Sequence, residues 1–294
     1  GQQFRVEAMP GVNLSRYLIS WRDPYFLEQN ISLGVSGSYY TRVYPNWWEQ
    51  RAGGRVTLGH QFTPNTSASV TLRGENVDIK NPSVPTPYAI YSVLGNNFLS
   101  TVKATLVHDT RDNAFLPGSG HYLQLDYEQG FGNFVYPKFD VEAKQYFLIR
   151  ERPDGGNRHV VSVVGQFGWI GDQAPFFERY FAGGFASFRG FRFYGVSPQV
   201  NGIVVGGQFQ ALGTVEYLLP ITADNTFQIV AFTDFGTVDS TVTLDKYRQT
   251  VGAGFRLSVP MMGPMPIAID FAVPVLEQPN DIRQLVSFTM GLLK

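Results

Sequence analysis

The chain has 294 residues, 44% hydrophobic, 16% charged and 15% aromatic, with 31 Gly, 18 Pro, no Cys and a formal net charge of -1. That apolar and aromatic content excludes a disordered segment, and 23 Lys+Arg against 24 Asp+Glu leave no basic excess to track a nucleic-acid backbone. Four His and no Cys argue against a multi-zinc centre and exclude a disulfide framework, while the charged fraction falls well below the about 25% usual for a soluble domain.

No window approaches about 18 uninterrupted apolar residues, so no transmembrane helix is expected, and Gly1-Gln2-Gln3-Phe4-Arg5 lacks the apolar core of a signal peptide. A soluble all-β protein and a transmembrane β-barrel remain open. In chain order, turn signals bound strands near 3–9, 13–22, 31–42, 51–62, 67–79, 99–110 and 121–130. The series continues at 138–150, 158–170, 205–219, 226–237, 248–259, 266–274 and 284–292. Period-two alternation carries the assignment. Leu123, Leu125 and Tyr127 alternate with Gln124, Asp126 and Glu128, and Ile267, Ile269, Phe271 and Val273 alternate with Ala268, Asp270 and Ala272. Pro10-Gly11, Thr63-Pro64-Asn65, Pro117-Gly118-Ser119-Gly120, Asp154-Gly155-Gly156-Asn157 and Met262-Gly263-Pro264 supply the turns. Two long connections interrupt the meander, at about 80–98 and about 171–204; the second is too aromatic and Gly-rich for a disordered linker and should pack inside a barrel.

The polar face separates barrel from sandwich. A sandwich would turn Lys and Glu to bulk water, whereas here that face carries Ser, Thr, Gly, Gln and single charges, as suits a crowded lumen. Tyr25, Phe26, Tyr39, Tyr40, Tyr44, Trp47, Trp48, Tyr146, Phe147 and Trp169 cluster toward strand ends and are expected at the bilayer interfaces. Asp234 lies opposite Ala231, Thr233 and Phe235, and Glu216 sits between Val215 and Tyr217, so both carboxylates should face inward. By spacing alone, these carboxylates and Arg189 could equally be ordinary wet-face charges.

Phe188-Arg189-Gly190-Phe191, preceded by Tyr180-Phe181-Ala182-Gly183-Gly184, closely resembles the signature loop of outer-membrane assembly factors of the BamA/TamA type, the bacterial surface antigen family. Asp23-Pro24-Tyr25-Phe26, His108-Asp109-Thr110-Arg111-Asp112, Leu212-Gly213-Thr214-Val215-Glu216-Tyr217, Phe232-Thr233-Asp234-Phe235-Gly236-Thr237-Val238 and Met262-Gly263-Pro264-Met265-Pro266 resemble further family segments in the right order. The resemblance implies an all-β, transmembrane antiparallel β-barrel with a long loop folded into the lumen. Fourteen strands are read here, with twelve as the alternative and sixteen as the family norm. It further implies that 1–294 is the barrel domain alone, with 3–9 matching the third family strand, so that the first two strands and all POTRA domains are missing. Arg189 should pair with Asp234, with Glu216 nearby; Gly183, Gly184 and Gly190 should permit tight turns, and Phe188, Phe191 and Phe193 should pack the loop to the wall. Val286, Phe288, Met290 and Leu292 give the oily face of the last, seam-forming strand, although the chain ends Leu292-Leu293-Lys294 without the terminal aromatic common in such barrels.

The function implied is non-enzymatic folding and insertion of outer-membrane β-barrel proteins through a lateral seam in the bacterial outer membrane. Absence of the usual first strand puts that activity in doubt for this chain. The implied partners are outer-membrane lipids or detergent and nascent β-barrel proteins, with accessory assembly lipoproteins in the full-length parent; nucleic acid, cofactor and metal are not expected. The alternatives are a polypeptide-translocating or passive outer-membrane pore, and an enzyme. No nucleophile–base order, two-His metal motif or nucleotide loop has a supporting context, and His108-Asp109-Thr110-Arg111-Asp112 reads best as a polar strand end.

Overall fold

The computed structural model describes residues 1–222, 225–258 and 267–290. Fourteen strands form one sheet in which each pairs antiparallel with the next in sequence. The first nine are β1 (Gln3–Met9), β2 (Leu14–Asp23), β3 (Ile31–Val43), β4 (Trp48–Thr63), β5 (Thr66–Lys80), β6 (Gly95–Asp109), β7 (Gly120–Phe131), β8 (Pro137–Arg150) and β9 (His159–Ile170). After a connection spanning 171–208 come β10 (Phe209–Pro220), β11 (Phe227–Asp239), β12 (Arg248–Leu257), β13 (Ile267–Leu276) and β14 (Val286–Met290). The expected turn at Met262–Pro266 and the expected seam residue Leu292 lie outside the described residues.

Strict alternation sorts the two faces. On β1 to β3 the cross-strand neighbours Phe4 and Trp21, Val6 and Ile19, and Ile19 and Gly37 share the outer face with Val35 and Tyr39. Most of these outward apolar side chains are exposed, the arrangement that lipid covers and water would not tolerate in a soluble domain. Strands of 10 to 16 residues from β2 to β9 are long enough to cross a hydrocarbon core that takes about 9–11 tilted residues.

All connections at the start of β1 and the ends of β2, β4, β6, β8, β10 and β12 share one rim; the 171–208 connection enters from the other, with the loop 81–94 and its short helix α1 (Tyr88–Tyr91). Near the rim opposite the 171–208 connection, under β2 to β6, the lumen keeps a polar cavity of about 700 Å³ lined by Ser20, Ser32, Ser36, Thr57 and Ser69 among others. At the other rim, aromatic side chains of the wall and the loop pack together. Tyr44 stacks on Trp47 at 4.7 Å and on Tyr194 of the connection at 5.8 Å, and Trp47 meets Phe176 edge-on at 5.1 Å.

This corrects part of the expected aromatic belt. Tyr44, Trp47 and Tyr146 are buried, and Tyr40 reaches Tyr44 through its hydroxyl at 3.4 Å, so these four serve the lumen side; Tyr25, Tyr39, Trp48 and Phe147 are exposed. The loop expected at 80–98 is shorter than read, because β6 begins at Gly95.

Among the described residues, β1 and β14 end the strand order and no pairing joins them. On β14, Val286 and Phe288 are exposed while Ser287 between them is buried. Met290 pairs with Ile267 through the backbone.

Candidate functional site: a lumen loop held at both ends

Residues 171–208 turn into the barrel and pack their aromatic side chains into a buried cluster with the wall. At the inner end of the loop, Gly190 adopts φ +90°, a left-handed conformation that a side chain resists, and a Cβ there would meet Thr250 Cγ2 at 3.0 Å and Ala272 Cβ at 3.3 Å. Gly183 is tighter still: at φ +120° its Cβ would lie 2.3 Å from the Arg192 carbonyl oxygen. The Gly184 N–H donates to the Phe191 carbonyl at 2.9 Å, and the Phe188 N–H to the Gly184 carbonyl at 3.0 Å. These bonds close the compact turn that presents Arg189.

Arg189 is buried to 1% exposure, so its charge has to be met by protein. Its Nε and Nη2 donate to the two oxygens of Asp234 on β11, both at 2.8 Å, and its backbone N–H donates to Asp234 Oδ2 at 3.0 Å. Nη1 donates to Glu216 Oε2 on β10 at 2.7 Å and lies 3.8 Å from Asp270 on β13. The guanidinium plane sits 3.4 Å over the Phe232 ring, adding a cation–π contact. Thr214 donates to Asp234 Oδ1 at 2.8 Å, fixing the carboxylate. Arg256 on β12 donates to Asp270 at 2.7 Å and approaches Glu216 at 3.6 Å, so the cluster holds two guanidinium groups against three carboxylates. Burial alone would lower the pKa of Arg189; the hydrogen bonds and charges of Asp234 and Glu216 outweigh it and raise the pKa above its ordinary value.

Phe188 and Phe191 are fully buried, their rings edge-on at 5.4 Å. Phe193 meets the wall at the rim: half-exposed, it stacks on Tyr194 at 3.9 Å and lies under the Arg42 guanidinium of β3 at 4.7 Å.

A second ionic cluster, which sequence reasoning missed, sits at the other end of the loop. Glu178 accepts from Arg51 Nη1 of β4 at 2.8 Å and from Arg73 Nη2 of β5 at 2.9 Å. Arg51 also donates to Glu49 at 2.6 Å, to Glu75 at 3.0 Å and to the Phe177 carbonyl at 3.0 Å. Arg73 reaches Glu128 of β7 at 2.6 Å, and Lys138 of β8 donates to the Glu178 carbonyl at 3.1 Å. Tyr180 extends this contact by donating to Asp140 at 2.8 Å. Burial pushes the Glu178 carboxyl up, but Arg51, Arg73 and Lys138 more than reverse that and hold it at about 2. The available signal was the spacing of Glu49 with Arg51 and of Arg73 with Glu75: opposite charges two residues apart share one face of a strand.

Fourteen described antiparallel strands around a lumen that takes in an inward-turned, ionically held loop define a transmembrane β-barrel with an internal loop. The chain belongs to the Omp85 superfamily, whose superfamily domain matches residues 1–292. It is 28% identical over 213 residues to the outer membrane protein assembly factor BamA of Nitratidesulfovibrio vulgaris, covering 67% of this chain and 26% of that protein. It is 27% identical over 227 residues to the sorting and assembly machinery component 50 homolog of Xenopus tropicalis, covering 72% of this chain and 46% of that protein. Among solved structures, BamA from Haemophilus ducreyi lacking POTRA domains 1-3 matches with a TM-score of 0.85 at 16% identity, over 99% of this chain and 64% of that one. CdiB from Acinetobacter baumannii matches with a TM-score of 0.66 at 15% identity, over 95% and 50%. The chain thus spans from about a quarter to under half the length of these two curated relatives.

Proposed function

We propose that this chain is a barrel domain of the bacterial outer membrane, residues 1–294, that folds and inserts other β-barrel proteins through the seam between β1 and β14. The observation that carries this reading is that, among the described residues, no pairing joins the edges of β1 and β14, in a barrel whose lumen takes in a packed loop. In hydrocarbon every unpaired backbone N–H and C=O costs several kcal/mol, so a seam edge is a standing template for an incoming strand, which gains its own backbone bonds by pairing there. The work is that of a scaffold, without nucleotide or covalent chemistry. Arg189, Asp234 and Glu216 anchor the loop tip, and Glu178 its root. By the usual asymmetry of such barrels the rim that carries the two longest connections, 81–94 and 171–208, faces outward and the opposite rim faces the periplasm. The partners are the surrounding lipids and nascent β-barrel proteins; accessory lipoproteins would engage the longer parent.

A translocating or passive pore is the competing reading, and the loop packed into the lumen, with Phe176 against Trp47 at the rim, opposes it. The protein reconstituted in liposomes should accelerate the folding of a urea-unfolded outer-membrane barrel by about tenfold or more over empty liposomes, the effect of about 1.4 kcal/mol on the barrier. A large, steady conductance in planar bilayers with no acceleration of folding would replace this reading with the pore.

A further inference from the structure

All four His of the chain stand near one rim of the barrel, the rim opposite the 171–208 connection. His60 lies three residues before the end of β4 and His108 one before the end of β6; His121 is the second residue of β7 and His159 the first of β9. Strand alternation puts all four on the outer, lipid-covered face: His60 with the exposed Leu58 and Phe62, His108 with Leu106, His121 with Leu125 and His159 with Val163. The register keeps them level. From His60 the pairing runs through Ala68 to Leu106, two residues farther from this rim than His108; from His108 to Leu123, two farther than His121; and from His121 through Gln145 to Val163, four farther than His159. That descent, about 5 Å for each strand-to-strand step of about 4.8 Å, is what strands tilted by about 45° need to hold one height.

Each ring is also aimed. Nδ1 of His60 donates to the Asn30 carbonyl at 2.6 Å, and Nδ1 of His108, His121 and His159 meets the hydroxyls of Thr66, Thr110 and Tyr217 at 2.9, 3.0 and 2.8 Å. Among the described residues no protein group is hydrogen-bonded to any of the four Nε2 atoms, which are left to whatever surrounds the wall. A carbonyl only accepts, so His60 keeps a proton on Nδ1 and its Nε2 becomes a donor only when the ring is protonated.

The surroundings favour an anion there. Asp78 is the one carboxylate on the outward face of β4 to β9, and it lies near the opposite rim, paired with Lys80 at 2.7 Å. Across the register His60 faces Ile31 and Ala68, His121 faces Gln145 and His159 faces Arg150. Carboxylates of the adjoining turns have cations of their own: Asp109 has Arg111, Asp112 and Glu151 share Arg158, and Asp154 has Arg152. Glu28, two residues before Asn30, competes at His60 alone. His108 and His121 stack with ring centroids 5.1 Å apart, so once charged they repel unless one anion meets both.

We propose that the four rings form a headgroup belt that, when protonated, takes the phosphates of acidic phospholipids in the leaflet at this rim, with His108 and His121 sharing one phosphate. Imidazole is the side chain that ordinarily changes charge between about pH 5 and 8, so the lipid collar of the barrel changes with pH. The belt needs only the transmembrane barrel; the leaflet it names follows from the orientation given above. Its test uses no insertion assay, so the belt and the seam reading can fail separately.

The chain has no Cys, so L123C, across the register from His108, carries a single fluorophore, and F255C on the outer face of β12 near the same rim serves as the distant control. Quenching by brominated phosphatidylglycerol against brominated phosphatidylcholine in vesicles reads the lipid preference at each position. At L123C phosphatidylglycerol should be preferred about fivefold at about pH 5.5, the effect of one cation at an anionic surface, and the two lipids should be nearly equal at about pH 8. H108Q/H121Q should abolish the change with pH, and F255C should show none. If the double variant fails to fold, as judged by gel migration before and after heating, H108Q and H121Q singly should each weaken the preference, since the phosphate is shared. The same preference at both pH values at L123C would overturn the belt. So would a pH dependence that survives in the folded Gln variants, or one of equal size at F255C.

Discussion

Arg189→Ala is expected to destabilise the barrel by about 3–5 kcal/mol, the cost of removing one partner from a buried ion pair. The cluster changes from two guanidinium groups against three carboxylates to one against three, and Asp234, fully buried, loses both side-chain donors from Arg189. Arg189→Lys should recover only part of the loss, because an ammonium cannot donate in a fork to both Asp234 oxygens or lie flat over Phe232. The double variant R189M/D234N should be more stable than the two single losses predict, since replacing both partners removes the uncompensated charge. Urea unfolding in liposomes, followed by the change in gel migration on heating, measures wild type, R189A, R189K, R189M, D234N and R189M/D234N. Additive losses in the double variant would show that the pair is not energetically coupled.

The second large effect is expected at the loop root, and there the sign of the charge matters. Arg51 and Arg73 face Glu49, Glu75, Glu128 and Glu178, so the side-chain cluster already carries an excess of carboxylates. Arg73→Met deepens that excess and should cost about 3–5 kcal/mol, whereas Glu178→Gln relieves it while weakening two charge-assisted hydrogen bonds and should cost about 1–3 kcal/mol. The Glu178 carboxyl is held at about 2 against an ordinary 4.5. A depressed carboxylate contributes its full stability above the ordinary value and loses it as pH falls through the lowered one. Wild type should therefore weaken between about pH 4.5 and 2 more steeply than Glu178→Gln when unfolding is followed against pH. Parallel curves in that window would remove Glu178 from the account of acid stability.

The wall was legible because a barrel imposes one simple rule along most of the chain: outward apolar, inward polar. Its limits are equally physical. Alternation says which residues share a face, but not which face an aromatic at a strand end belongs to, so Tyr44, Trp47 and Tyr146 were assigned to lipid when they line the lumen. The extended reading of 284–292 began too early because 284 is locally strand-like; it pairs with Gly190 of the lumen loop instead of β13. Arg189, Asp234 and Glu216 were brought together by the resemblance of their motifs, and the structure places them in contact. Glu178 lies about a hundred positions from Arg51 and Arg73, and only the curvature of the sheet around the loop makes them neighbours, whereas Arg256 and Asp270 meet across the adjacent strands β12 and β13 but give no sign in the sequence of facing the loop.

The central claim is that incoming strands pair with the edges of β1 and β14. Single cysteines at Val6 on β1 and Phe288 on β14, compared with Ser36 in the lumen cavity and Leu125 on the outer face of β7, can be tested for disulfide formation with a cysteine in the terminal strand of a folding barrel substrate. Cross-links are expected at Val6 and Phe288 and none at Ser36 or Leu125. Cross-linking at Ser36 with none at either edge would contradict it and place the substrate path through the lumen.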